Sequence, residues 1–225
     1  LPTLKILYPP SIDSSSTFKE LKYEIGTNIG TINLTSKYTS NDAGSIISTT
    51  YQKDGVDLVG SSDNISSLTS VISYRSIINY AIGAVKNNRI GNADTTGMIL
   101  AGSVMSDTIT IKPVSKNYWG NSDLIAITDA QLLGTDSAIN NSGFATSPAK
   151  ASFNIPITGT EKYIYYAYPA TYPDLTSIMV GPFESIDAFT QIVRNVVNAQ
   201  GYTQSYKIYV SINNFSDKVE KIVIN

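Results

Sequence analysis

The sequence predicts an all-β protein built as two β-sandwich modules, the first immunoglobulin- or fibronectin-like and the second carrying one short helix. Three observations point there. Ser, Thr and Asn supply 68 of the 225 residues and only 15% of residues are charged, against about 25% in an ordinary domain. Neutral hydroxyls and amides of this kind serve turns and strands. Runs of about 5–10 β-prone residues alternate with Gly, Asn, Asp and Ser clusters, the spacing of short strands joined by turns. The segment STTYQKDGVDLVGS sets two such runs around Asp54-Gly55, a dipeptide that accepts the positive φ angles of a type I′ hairpin turn.

Taken in order, residues 1–17 read as a leader to an upstream assembly segment: Pro2, Pro9 and Pro10 oppose helix, and SIDSSST has the composition of a linker. The first module is expected over residues 18–113. Within it, GTINLTSKYTS alternates Ile32, Leu34 and Ser36 against Asn33, Thr35 and Lys37, the period of one half-buried strand. In SVISYRSIINYAIG the set Ile72, Tyr74, Ser76, Ile78 and Tyr80 is the more apolar, so that face is expected inward. The Asn- and Gly-rich VKNNRIGNADTTGMILAGS reads as a long surface loop, and SDTITIKP as a closing strand over residues 107–112. A boundary is expected where KPVSKNYWGNS brings Pro, Asn, Gly and the single Trp together.

The second module is expected over residues 114–225. ITDAQLLGTD predicts its helix, capped by Thr128 or Asp129, ended by Gly134, with Leu132 and Leu133 inward. Six further β runs follow: KASFNIPIT, KYIYYAYP, LTSIMV, QIVRNVVNA, SYKIYVSI and KVEKIVIN. In SYKIYVSI, Tyr206, Ile208, Val210 and Ile212 share the face expected to enter a core.

The hydrophobic fraction of 42% supports a real core. A net charge of −2 and a pI near 5.1 offer no basic field for phosphates, so no nucleic-acid partner is expected. The longest apolar candidate, SVISYRSIINYAIGAV, is interrupted by Arg75 and Asn79, so no membrane insertion is expected. The chain contains neither histidine nor cysteine. Disulfides, Ser-His-Asp and Cys-His nucleophiles and zinc sites built on His or Cys are therefore impossible.

Carboxylate, lysine and tyrosine chemistry remains. Glycoside hydrolysis needs two acids about 5–9.5 Å apart, and FESID, with Glu184 and Asp187, is the nearest approach to an acidic motif among the 18 acids. A solvated loop or a cap is the plainer reading of it. GNADTTG and TSNDAGS offer clustered oxygens for calcium, without EF-hand spacing, and read more simply as turns. No Walker or dinucleotide glycine pattern occurs. The triplets beginning at Asn33, Asn64, Asn140 and Asn214 are what chance yields in so Asn-, Ser- and Thr-rich a chain. No catalytic, cofactor-binding or metal residue is assigned, no cofactor is expected, and the sequence assigns no ligand-binding residue.

The densest aromatic stretch is EKYIYYAYPATYPDL, with five tyrosines. Strand periodicity puts Tyr163 and Tyr165 on one face and Ile164, Tyr166 and Tyr168 on the other. Rings on both faces suit a core or a subunit interface; a platform for sugars or a receptor is the alternative.

The order EIGTNIGTINLTSKYT, a hairpin on YQKDG, INYAIGAVKNNRIG, AGSV, ITI, NYWG, KYIYYAYPATYPDLTSI and GYTQSYKIYVS resembles the C-terminal module pair of tail-fibre and other virion structural proteins of tailed bacteriophages. The likeness runs from about Tyr23 over nearly the whole chain and carries over no functional residue. It implies a virion protein that is not an enzyme: a tail fibre, spike, baseplate or neck appendage contributing to assembly and host attachment. The implied partners are copies of itself, often as trimers, other virion proteins, and a glycan or protein of the host surface. A capsid or head-fibre decoration, a glycan-degrading tailspike-type enzyme and a bacterial surface adhesin are the alternatives.

Overall fold

A computed structural model describes residues 7–14, 19–87, 90–94, 97–134, 140–144, 151–156, 161–215 and 219–224. The chain is all-β, with 53% of residues in strands arranged in several sandwich-like sheets and, among the described residues, one lone short helix. It divides into two compact units, Leu1–Tyr23 with Asn28–Pro113, and Glu24–Thr27 with Val114–Asn225.

In the first unit the strand Ile72–Tyr80 lies inside a sheet ordered Glu20–Glu24, Ile109–Val114, Ile72–Tyr80, Ile46–Lys53, Val56–Asp57. Gly102–Met105 shares the Ile72–Tyr80 edge with Ile109–Val114. Ile72, Tyr74, Ser76 and Ile78 are buried and the residues between them are not, as the alternation predicts. The hairpin forms at its expected place: Ile46–Lys53 pairs with Val56–Asp57, and Asp54 and Gly55 take φ angles of 50° and 84°.

Four expectations for this unit are corrected. Ser11–Ser14, inside the presumed linker, forms a strand against Ser36–Thr39. GTINLTSKYTS is two strands rather than one, because the chain changes sheets at Leu34–Thr35: Gly30–Asn33 pairs with Ser62–Ile65. The inside–outside alternation nevertheless runs unbroken through the change. In the presumed long loop, Lys86–Asn87 pairs with Ala93–Asp94 and Gly102–Met105 is a strand. The closing strand starts late, at Ile109; before it, Ser106 N donates to Ser76 O and Ser106 Oγ accepts from Ser76 N, where the pairing of Gly102–Met105 ends.

The second unit packs a five-stranded sheet against a four-stranded one. The first runs Asn140–Phe144, Lys116–Ser122, Tyr163–Pro169, Thr203–Ser211, Phe189–Val197; the second runs Ala151–Pro156, Val219–Ile224, Ile178–Val180, Phe183–Glu184. Ile164, Tyr166, Tyr168 and Tyr209 from the larger sheet meet Ile155, Leu175, Ile178 and Val180 in one core. On the opposite face Tyr118, Tyr165, Tyr206, Ile208 and Val210 form a second core under Ile127 and Leu132.

The lid on that face is the helix Asp129–Leu133. Thr128 caps it, with Gln131 N donating to Thr128 Oγ1 and Thr128 N donating to Gln131 Oε1. Gly134 ends it, as expected, and Leu132 is fully buried. The division between the two units falls at Pro113 and Val114, within KPVSKNYWGNS, and most of that stretch is a strand of the second unit, Lys116–Ser122, flanked on both sides in the larger sheet. Its Asn117, Asn121 and Ser122 are buried polar groups, the reverse of what polarity alone suggests. Ile212, expected in the core, lies just past the strand end and is exposed.

Candidate functional site

The arrangement that best fits a ligand lies in the first unit around Tyr74. This residue projects from the buried face of Ile72–Tyr80 into a core with Ile65, Leu68, Ile72 and Ile111. Opposite it, register pairs Ile32 with Asp63. Tyr74 Oη donates to Asp63 Oδ2 at 2.5 Å, and Lys53 Nζ, from just before the hairpin turn, reaches the same oxygen at 2.7 Å. Beside this triad is an apolar cleft of about 230 Å³ walled by Leu21, Tyr23, Ile29, Ile32, Leu34, Ile109, Ile111 and the Tyr74 ring, with Asn33 and Thr35 as its polar members. Asp54, Gly55, Ser73, Arg75 and Thr108, together with Tyr74, line a second, open and polar depression.

Charge in the triad is set by its contacts. Burial, then the hydrogen bond to Asp63, raises the Tyr74 phenol far above its ordinary value, so it stays a neutral donor. Burial opposes ionisation of Asp63, but the bonds from Lys53 and Tyr74 prevail and hold it below the usual carboxylate range. The volume falls short of the roughly 300–1,000 Å³ of a small-molecule pocket. It is sized for one bulky apolar group.

A group whose folded pKa is depressed stabilises the fold above its unfolded pKa and stops doing so as pH falls through the folded value. Replacing Asp63 by asparagine is therefore expected to lower the urea midpoint of the first unit at pH 7. That deficit should shrink as pH drops below about 4, where carboxylates protonate. A deficit of equal size at pH 7 and pH 3 would mean that the charge on Asp63 contributes nothing.

The residues weighed from sequence are placed as follows. Glu184 is a structural acceptor: its carboxylate takes bonds from Ser177 Oγ at 2.5 Å and from the backbone N of Ile178, Ser185 and Ile186 at 3.1–3.2 Å. Asp187 sits in the adjoining 3₁₀ turn. In TSNDAGS, Asp42 accepts from Tyr8 N and pairs with Lys86, and Asn41 donates to Pro9 O. GNADTTG lies partly outside the described residues; its Ala93–Asp94 is a strand. Among the described residues, no group of three or more Asp or Glu side chains is disposed to hold a metal ion. The Tyr163–Pro169 rings are core: Tyr165, Tyr166 and Tyr168 are each at most 2% exposed.

The Tyr74–Asp63–Lys53 triad was not read from the sequence. Tyr74 was visible only as one member of an inward face, and Asp63 only as one of the 18 acids. Their meeting depends on the pairing of Gly30–Asn33 with Ser62–Ile65 and on that of Ile46–Lys53 with Ile72–Tyr80, which sets Lys53 opposite Tyr74. No family model, curated protein or solved structure matches the chain.

Proposed function

We propose that this chain is a structural component of a tailed-bacteriophage virion, a subunit of a tail fibre, spike or other tail or baseplate appendage that contributes to assembly and host attachment. The observation that supports this reading is the commitment of its reactive side chains to holding sheets together. The large tyrosines of the second unit are core, Glu184 caps a turn, and Asp42, Asp63, Asp107, Asp123, Asp129 and Asp174 each face a lysine or arginine. Such a body works by shape and by repetition. Joining several weak contacts raises avidity by about 10²–10⁴ without a strong single site. The Tyr74 cleft is then the place on the first unit where a host-surface group or a neighbouring virion protein is held.

Gold labelling and mass spectrometry of purified virions from the genome that carries this sequence test the reading. Label on a tail, baseplate, neck or head appendage is expected, with the labelled place separating these alternatives. Absence of the chain from purified particles overturns it. Binding of the fluorescent chain to host cells tests attachment separately, and no binding at micromolar concentration would leave scaffolding as the role.

A further inference from the structure

We propose that the outer edge of Phe189–Val197 joins a second copy of this chain, antiparallel, about a twofold axis at Ile192. This strand ends the five-stranded sheet, and among the described residues nothing pairs with its outer side. Ala188 O accepts from Ile212 N, and Asn198 N donates to Tyr202 O, each at 2.9 Å and both in the register that sets Phe189 opposite Ser211. Bonded pairs recur every second residue in an antiparallel ladder. The backbone groups of Thr190, Ile192, Arg194 and Val196 therefore turn toward Thr203–Ser211, and those of Phe189, Gln191, Val193, Asn195 and Val197 turn outward.

Toward the ends of this outward row one group of each residue is already engaged. Phe189 N donates to Ile186 O, Asn195 O accepts from the Arg194 guanidinium at 3.1 Å, and Val197 N donates to Asp129 Oδ2 at 3.1 Å. Between them Gln191 and Val193 each present an N–H and a C=O. A twofold at Ile192 sets Gln191 of one copy opposite Val193 of the other, twice, and all four groups of each copy are satisfied by four hydrogen bonds. In this register Phe189 of one copy falls opposite Asn195 of the other, so the engaged Phe189 N faces the engaged Asn195 O; a second copy therefore asks nothing of either, whereas an unrelated strand would leave its own groups unpaired there.

Side chains agree with this occupant. Ile192 and Val193 are 39% and 58% exposed. The stretch Phe189–Val193 contains no Lys, Glu or Pro, the residues by which exposed edges are usually blocked. Arg194 is neutralised by Asp129 within its own unit, so two copies approach without uncompensated like charge. At the axis the two Ile192 residues face each other as a non-hydrogen-bonded pair, with Cα atoms about 4.5 Å apart.

The natural chain has no cysteine, so Ile192→Cys introduces a single thiol whose expected Cα separation suits a disulfide. Under mild oxidation it is expected to form covalent dimer about tenfold faster than Val59→Cys, a fully exposed control on the first unit. In sedimentation, Val193→Pro removes an outward N–H from each copy without touching the in-sheet ladder. It is expected to weaken self-association about tenfold or more, as is Ile192→Lys, which serves if the proline variant fails to fold. A chain that stays monomeric to about 100 µM, or an oligomer indifferent to both foldable variants and to the position of the cysteine, overturns the proposal. It rests on edge geometry alone: virion labelling can fail while this pairing stands, and the reverse.

Discussion

Truncating Tyr168 to alanine is expected to cost the second unit about 3–5 kcal/mol, the range for deleting a fully buried ring. Tyr168 is wholly buried, its ring lies 5.5 Å from Tyr166 and 6.0 Å from Tyr209, and its hydroxyl donates to Pro173 O at 2.8 Å. Alanine leaves a cavity between the two sheets that neither can close without breaking ladder bonds. Phenylalanine keeps the packing and forfeits one hydrogen bond, for about 1 kcal/mol. The same truncation at Tyr8, 59% exposed, should change stability by less than about 0.5 kcal/mol. Urea unfolding of the three variants decides it. If Tyr168→Ala costs no more than Tyr168→Phe, the rings are not what holds this sandwich together.

The second large effect is expected at Gly26. The tetrapeptide Glu24–Thr27 belongs to the second unit although it lies near the start of the chain, inside the stretch that the sequence assigns to the first module. It is held there by Ile25 N donating to Val114 O, by Asn198 Nδ2 donating to Ile25 O, and by the buried Glu24 carboxylate 3.0 Å from Lys116 Nζ. Gly26 has φ +90°, and a Cβ there would stand 2.6 Å from Tyr202 Cβ and 3.2 Å from Gln200 Cβ. Both obstacles are first atoms of side chains, which cannot swing away. Gly26→Ala is expected to cost about 2–5 kcal/mol, combining left-handed strain with overpacking. Gly55→Ala is the comparison: φ is +84° but no atom lies within 4 Å, so only about 1–2 kcal/mol of strain remains. Equal losses at the two glycines would show that the segment is not packed as described.

What was legible in the sequence was local. The sides taken by Tyr163 to Tyr168 follow from the two-residue period of a strand, and the structure keeps them: Tyr163 and Tyr165 belong to one core, Ile164, Tyr166 and Tyr168 to the other. The Asp54-Gly55 hairpin and the Thr128-capped helix depend on neighbours a few residues away, and both stand. Lys116–Ser122 was missed because its polar residues suggest a turn, whereas Ser122 is satisfied from outside the strand, Gln131 Nε2 donating to its Oγ at 2.7 Å. Polarity in a single stretch says turn; only the fold supplies the bond that lets it be buried. Ser11–Ser14 was missed likewise, since its pairing with Ser36–Thr39 joins segments with almost no apolar signal.

The sequence by itself determined which side of Tyr163–Pro169 each ring occupies, and, through the lack of histidine and cysteine, that nucleophiles and zinc sites built on those residues are ruled out for this chain. The tertiary structure alone decided that both sides of the tyrosine-rich strand are covered, one by Ile155, Ile178 and Val180 and the other by Ile127 and Leu132. It also decided that Tyr74, Asp63 and Lys53 meet beside a cleft. The physical reason is range: side-chain parity is a property of two consecutive peptide units, whereas cover and convergence require pairing between segments far apart along the chain.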